Sequence, residues 1–210
     1  MDENKTYHHM DLKNDLIEKG IELVNCDGLR SFTLRKAAAA CGVSHSAPYS
    51  HFKNKNDLLN AMQCHITDEF SQTLQSAIAL YGDKPDVLGY LGKAYVIFFV
   101  ENPHYFSFLY TQSNMQIDLT FTKDGEQNYA PFEVFKELAL SLMRANDYPE
   151  ERHKDAVIAL WSFIHGITSL ATMKNVNYDE DWEAKISDFM MVFNCPFLAN
   201  NQASQQEEES

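Results

Sequence analysis

The chain has little positive charge. Its 17 Lys and Arg face 30 Asp and Glu, for a formal net charge of -13 over 210 residues. That balance excludes a protein that holds nucleic acid by bulk attraction, so any DNA contact must be local. Cysteine is scarce too. The four, Cys26, Cys41, Cys64 and Cys195, are scattered with no paired spacing for a zinc site or a disulfide framework. They read as reduced, mostly buried thiols, with redox sensing by one of them as the alternative. The longest purely apolar run, Val96 to Val100, is far short of the roughly 20 residues that cross a bilayer. The first twenty residues are polar and charged, unlike a secretory signal. No internal repeat is visible. His165 with acidic neighbours could in principle do acid–base work, but no nucleophile motif, phosphate loop or metal-ligand spacing accompanies it, so neither an enzyme nor a metal or cofactor site is expected. The expectation is a soluble, cytoplasmic protein with no membrane partner.

What is present is helical periodicity and an uneven distribution of charge. Residues 1–60 carry as many basic as acidic side chains, so the whole excess of acid falls on residues 61–210. The spacing predicts an all-α chain of about nine helices. Helices are expected over Leu12 to Cys26, Leu34 to Cys41, from about His45, from Asn56 or Asp57 to Tyr81, and over Asp86 to Glu101. Others follow over His104 to Tyr110, Pro131 to Asn146, Pro149 to about Lys174, and Asp179 to Phe193, the last stopped by Pro196. Thr111 to Ala130 shows no sustained period, with a turn at Lys123 to Glu126, and reads as a mobile lid or a loop with some extended structure.

The segment Phe32 to Leu59 is the most informative. Ala37, Ala38 and Ala40 allow close approach of another helix. Gly42 supplies a left-handed turn, and Leu34, Val43 and Phe52 are apolar anchors. Thr33 and Ser44 are expected as N-caps. This is the pattern of a helix-turn-helix whose second helix enters the major groove of DNA. Thr33, Ser44, Tyr49, His51, Lys53 and Lys55 are placed to reach phosphate oxygens, while His45, Ser46 and Ala47 stand where side chains meet base edges. Each has a structural alternative: Tyr49 as packing, His51 as a helix cap, Lys55 as a solvated charge.

Thr33-Leu34-Arg35, Cys41-Gly42-Val43-Ser44, Tyr49-Ser50-His51-Phe52 and Lys55-Asn56-Asp57-Leu58-Leu59 together resemble the DNA-binding head of the TetR family of transcriptional regulators, with Cys41 where alanine is usual. Trp161-Ser162-Phe163-Ile164-His165-Gly166 is similar to the Trp-His-Gly signature of one subgroup. Val43 to Tyr49 and Asn102 to Phe106 add weaker likeness. The resemblance implies phosphate contacts by Thr33, Tyr49, His51 and Lys55, base contact near His45 and Ser46, and a DNA-binding surface that also includes Arg35. It implies a helix-turn-helix domain over 1–56 and a helical ligand-binding and dimerisation domain over 57–198, while the low-complexity composition of 199–210, with its Gln-Gln-Glu-Glu-Glu, reads as a disordered acidic tail.

Aromatic side chains on successive helices are the candidate effector site: Phe70, Tyr95, Phe99, Tyr105, Phe108, Trp161 and His165. Stripes at helical spacing are more often ordinary core. If they line a pocket, the effector is an apolar or aromatic small molecule. The resemblance further implies a homodimer through the last two helices. Ala156, Ala159, Gly166, Ile167 and Leu170 would meet Ile186, Phe189, Met190 and Phe193 in a four-helix bundle. The reading is a repressor released from a palindromic double-stranded operator by a small molecule. The alternatives are a helical small-molecule-binding dimer without DNA-binding activity and an activator of the same fold.

Overall fold

Leu12, Leu16, Ile17, Ile21 and Val24 recur at three- and four-residue intervals, and all are buried on one face of α1, Leu12–Asp27. In the computed structural model, which describes residues 11–121 and 128–198, seven more α-helices follow. They are α2 (Leu34–Ala40), α3 (Lys55–Tyr81), α4 (Val87–Glu101), α5 (Pro103–Ser107), α6 (Ala130–Ala145), α7 (His153–Thr172) and α8 (Trp182–Leu198). Short 3₁₀ turns occupy Ala47–Ser50 and Glu150–Arg152, and Phe108–Gln112 winds as a π-helix. Among the described residues there is no strand. The expected acidic tail, the turn at Lys123 to Glu126, and the side chains of Phe193 and Cys195 lie outside the described residues.

The chain divides into two compact units. The first holds residues 1–68 together with His104–Met115, and the second holds Glu69–Pro103 and Gln116–Ser210. The division between these units falls inside α3, and the segment after Pro103 joins the first unit.

In the first unit Phe32, Leu34, Ala37, Ala38, Phe52, Leu58, Met62 and Ile66 close over the buried face of α1. A Cβ on Gly20 would overlap Met62 Cε, the tip of the side chain that packs against α1 at this point. Tyr105, Phe106, Phe108 and Leu109 add a second buried layer. The Asn25 side chain anchors that layer by donating to the His104 carbonyl at 2.9 Å.

The second unit is built on α4, which packs against α7 and α8. Gly92 permits this. An added Cβ would meet Met190 Sδ at 2.5 Å and Ile164 Cδ1 at 3.4 Å. Of the loop after the π-segment, the ends are tied through Asn128. Its Oδ1 accepts from the Asp118 and Tyr129 backbone N–H groups, both at 2.8 Å. Its Nδ2 donates to the Asp118 carbonyl and to Glu133 Oε1.

Four expectations are corrected. The third helix, expected from His45, is a 3₁₀ turn, because Pro48 has no N–H and the bonds run three residues back, Ala47 to Ser44 and Tyr49 to Ser46. Ser44 does not cap it, since its hydroxyl bonds the Ser46 hydroxyl at 3.1 Å instead. The next helix opens at Lys55, before Asn56, because Asn54 Oδ1 accepts from Asp57 N–H and Asp57 Oδ2 accepts from Lys53 N–H, a reciprocal capping arrangement. Pro196 does not stop α8, which continues to Leu198. That close to a helix end a proline forfeits one backbone bond.

Candidate nucleic-acid interface and sensor core

The helix-turn-helix is set by three local devices. Thr33 Oγ1 accepts from Lys36 N–H at 3.2 Å and starts α2. At the other end Gly42, at φ +68°, lets Val43 N–H reach the Ala38 carbonyl and its own N–H reach that of Ala39. This is the Schellman closure, which consumes carbonyls otherwise left open at a helix end. The 3₁₀ turn is then anchored by buried Pro48 and Phe52. Ser50 Oγ, donating to the Ala47 carbonyl, closes that turn upon itself.

This scaffold leaves an outward row of donors. Thr33, Arg35, Ser44, His45, Ser46, Tyr49, His51 and Lys53 are exposed, with Ala47 half-buried. Tyr49 is 58% exposed, which settles it as a displayed side chain rather than packing. The His51 ring is tilted beside Phe52 at 6.3 Å. Lys55 is different. Its Nζ donates to the Leu29 carbonyl at 2.6 Å and stands 5.8 Å from the Phe32 ring centre, so the ammonium also clasps the α1–α2 connection. Lys36 is paired with Asp27 at 2.9 Å.

The expected burial of the thiols is corrected: Cys26 and Cys64 lie on the outward faces of α1 and α3 and are exposed, and Cys41 is half-buried. Burial, with Asp15 adding to it, pushes the Cys41 thiol up from its ordinary pKa. A thiol held protonated is a poor nucleophile, which counts against redox sensing there.

The aromatic residues separate by unit. Phe70, Tyr95, Phe99, Trp161 and His165 come together in the second, whereas Tyr105 and Phe108 are buried in the first. Trp161 is met edge-on by Tyr95 at 5.1 Å, Phe132 at 5.2 Å and Phe135 at 5.4 Å. Phe70 contacts Tyr95 and Phe99 at 4.8 and 4.7 Å. The Tyr95 hydroxyl and His165 Nδ1 share a hydrogen bond of 3.0 Å, and burial lowers the His165 pKa. The imidazole is therefore neutral near pH 7, a polar point in an apolar ring cluster. Phe132 and Tyr129, which no sequence spacing linked to Trp161, complete the cluster from α6 and the residue before it. Tyr105 acts elsewhere: its hydroxyl donates to Glu18 Oε1 at 2.7 Å, and His65 Nε2 reaches the same oxygen.

The model of bacterial regulatory proteins of the tetR family matches residues 16–62, and that of the tetracyclin repressor-like C-terminal domain matches residues 88–192. The chain belongs to the TetR family. This TetR-family chain is accordingly a DNA-binding transcriptional regulator rather than an enzyme, and regulators of the family form dimers and bind operator DNA and small-molecule effectors. Its fold is shared with a protein of unknown function from Rhodococcus sp. RHA1 (20% identity, TM-score 0.67, covering 90% of this chain and 96% of that one). A tetR-family regulatory protein from Rhodococcus RHA1 has 17% identity and TM-score 0.66, covering 86% and 94%. FadR from Bacillus subtilis, in complex with stearoyl-CoA, has 14% identity and TM-score 0.64, covering 85% and 96%. No curated protein matches the chain.

The dimer residues expected on α8 need correction. Ile186 and Met190 are buried against this chain's own core. Exposed on the last two helices are Ala159, Gly166 and Leu170 of α7 and Met191 of α8, beside polar Ser162, Ser187 and Asp188, and a Cβ built on Gly166 would meet no neighbouring element within 4 Å. By length and composition Glu150–Thr172 has the apolarity to cross a membrane. Val157, Trp161 and Ile164 from it are nevertheless core residues of the second unit, and core helices pass the same test.

Proposed function

We propose that the chain is a homodimeric, cytoplasmic repressor that releases a palindromic operator when a small molecule enters the second unit. The observation that carries this reading is the exposed row from Thr33 through Lys53, held by the glycine turn and the 3₁₀ segment. Thr33, Ser44, Tyr49, His51, Lys53 and Lys55 contact phosphate, with Arg35 flanking them, and His45, Ser46 and Ala47 face bases. Because the chain as a whole is acidic, non-specific attraction is weak and discrimination rests on these contacts.

The effector displaces part of the ring cluster around Trp161 and takes up the hydrogen-bonding capacity of His165 and Tyr95. Its chemistry is apolar or aromatic. Of the stearoyl-CoA on the Bacillus subtilis FadR, only the acyl chain has that chemistry, and a stearoyl chain is one group to test. Ligand acts by favouring a conformation in which α3 holds the head away from its DNA-bound position, and can do so only to the extent of its differential affinity. Dimerisation runs through the exposed stripe of Ala159, Gly166, Leu170 and Met191.

The test is enrichment from random double-stranded DNA at low salt. A two-fold symmetric site is expected, bound tightly and lost on Tyr49→Ala. Failure to enrich any sequence sinks the repressor reading.

A further inference from the structure

The first unit contains a groove that the DNA-binding row and the ring cluster do not use. It encloses about 230 Å³, room for about eight waters at roughly 30 Å³ each and so for a one- or two-ring heterocycle. Its walls carry five side-chain amides: Asn56, Asn60 and Gln63 from the first turns of α3, with Gln112 and Asn114 from the π-segment and beyond. None of these five makes a hydrogen bond to the rest of the described chain. Leu29, Leu59 and Phe108 supply the apolar lining, with Phe108 buried beneath.

Two backbone features converge the amides. Asn56, Asn60 and Gln63 stand four and three residues apart, on one face of α3. Opposite them the π-winding, closed by Ser113 N–H donating to the Phe108 carbonyl at 2.8 Å, brings Gln112 to the same groove as Phe108. Single π-turns inside helices recur at functional positions.

A side-chain amide offers one donor and one acceptor side by side, a pair complementary to the edge of a nucleobase. Amides on opposing walls above an apolar lining match a planar ring that stacks on the lining and bonds at its edges. No ionisable side chain lines the groove, in a chain where 22% of residues are charged, so an anionic group has nothing to hold it. We propose that this groove binds a small, uncharged, planar nitrogen heterocycle of nucleobase type, through Asn60, Gln63 and Gln112, at a site distinct from the effector core. The inference does not depend on the repressor reading.

The test is a titration of the isotope-labelled full-length protein with adenosine, following side-chain amide signals by NMR. Saturable shifts of the Asn60, Gln63 and Gln112 amides are expected. Adenosine monophosphate should bind no more tightly than adenosine. In Asn60→Leu/Gln63→Leu, affinity should drop at least tenfold, and in the isosteric Gln63→Glu it should drop with the helical spectrum intact. The proposal is overturned by the lack of saturable shifts up to the solubility of adenosine. It is equally overturned by undiminished affinity in both variants, or by tighter binding of the monophosphate.

Discussion

Lys55 and Tyr49 both belong to the candidate DNA surface, yet they differ in what their loss does to the free protein. The Lys55 ammonium donates to the Leu29 carbonyl, and a hydrogen bond to a charged group contributes roughly 1.5–3 kcal/mol. Lys55→Ala should therefore lower both operator affinity and stability to urea, the latter by about 1–2 kcal/mol after solvent exposure is allowed for. Tyr49→Ala should weaken operator binding while leaving the free energy of unfolding in urea within about 0.5 kcal/mol of the parent. Equal stability losses in the two would contradict the clasp. His165 has a pH signature. Its folded pKa lies below the ordinary 6.5 because burial disfavours the imidazolium. The unfolded chain consequently takes up that proton first as pH falls through about 6.5, and stability declines until the folded pKa is passed. Thermal melts from pH 7.5 to 5 should show this loss, and His165→Gln should reduce it. At this scale Thr33 as a cap and the display of Tyr49 were legible in the sequence, since both are local chemistry. The clasp by Lys55, 26 residues from its acceptor, and the union of Phe132 with Trp161 were not. They depend on where separate helices meet.

Among the elements, α2 and its turn are the most strongly specified. Gly42 at φ +68° occupies a region that costs an L-residue roughly 1–2 kcal/mol. Gly42→Ala should lower the free energy of unfolding in urea by that amount with an unchanged slope, and restoring glycine should recover it. Loss of the side-chain cap in Asn54→Ala costs about 1 kcal/mol by the same measurement. Periodicity placed every helix to within a few residues, because apolar faces at 3.6-residue spacing have one stable solution. It failed where backbone chemistry competes with pattern. Pro48 turned an expected α-helix into a 3₁₀ turn, Asn54 and Asp57 moved the start of α3, and the π-winding of Phe108–Gln112 leaves no mark in composition.

On the scale of the whole molecule, charge is the governing feature. The body carries the entire excess of acid, so operator binding should fall steeply with salt, while binding to unrelated DNA should be weak even at low salt. Parallel titrations on operator and scrambled DNA over a salt series measure both. The proposed dimer runs through the outward residues of α7 and α8. Leu170→Glu/Met191→Glu should produce monomers in sedimentation with the helical spectrum retained, and a dimer unaffected by both charges would place the interface elsewhere. Class and the existence of a DNA-binding head were readable from spacing within 32–59. The grouping of His104–Met115 with that head was not, because it joins residues 40 to 87 apart in the chain through Asn25, Glu18 and His65.

The π-segment has a further consequence, in chain register. A π-turn accommodates one residue more than the α-helical turn it replaces, so Phe108–Gln112 is in effect a one-residue insertion. Deleting Tyr110 would turn the bond from Ser113 N–H to the Phe108 carbonyl into an ordinary α-helical one, so the stretch from Pro103 should relax into continuous α-helix with Gln112 kept at the groove. The extra residue is absorbed within a single turn, and the wall it belongs to should survive its removal.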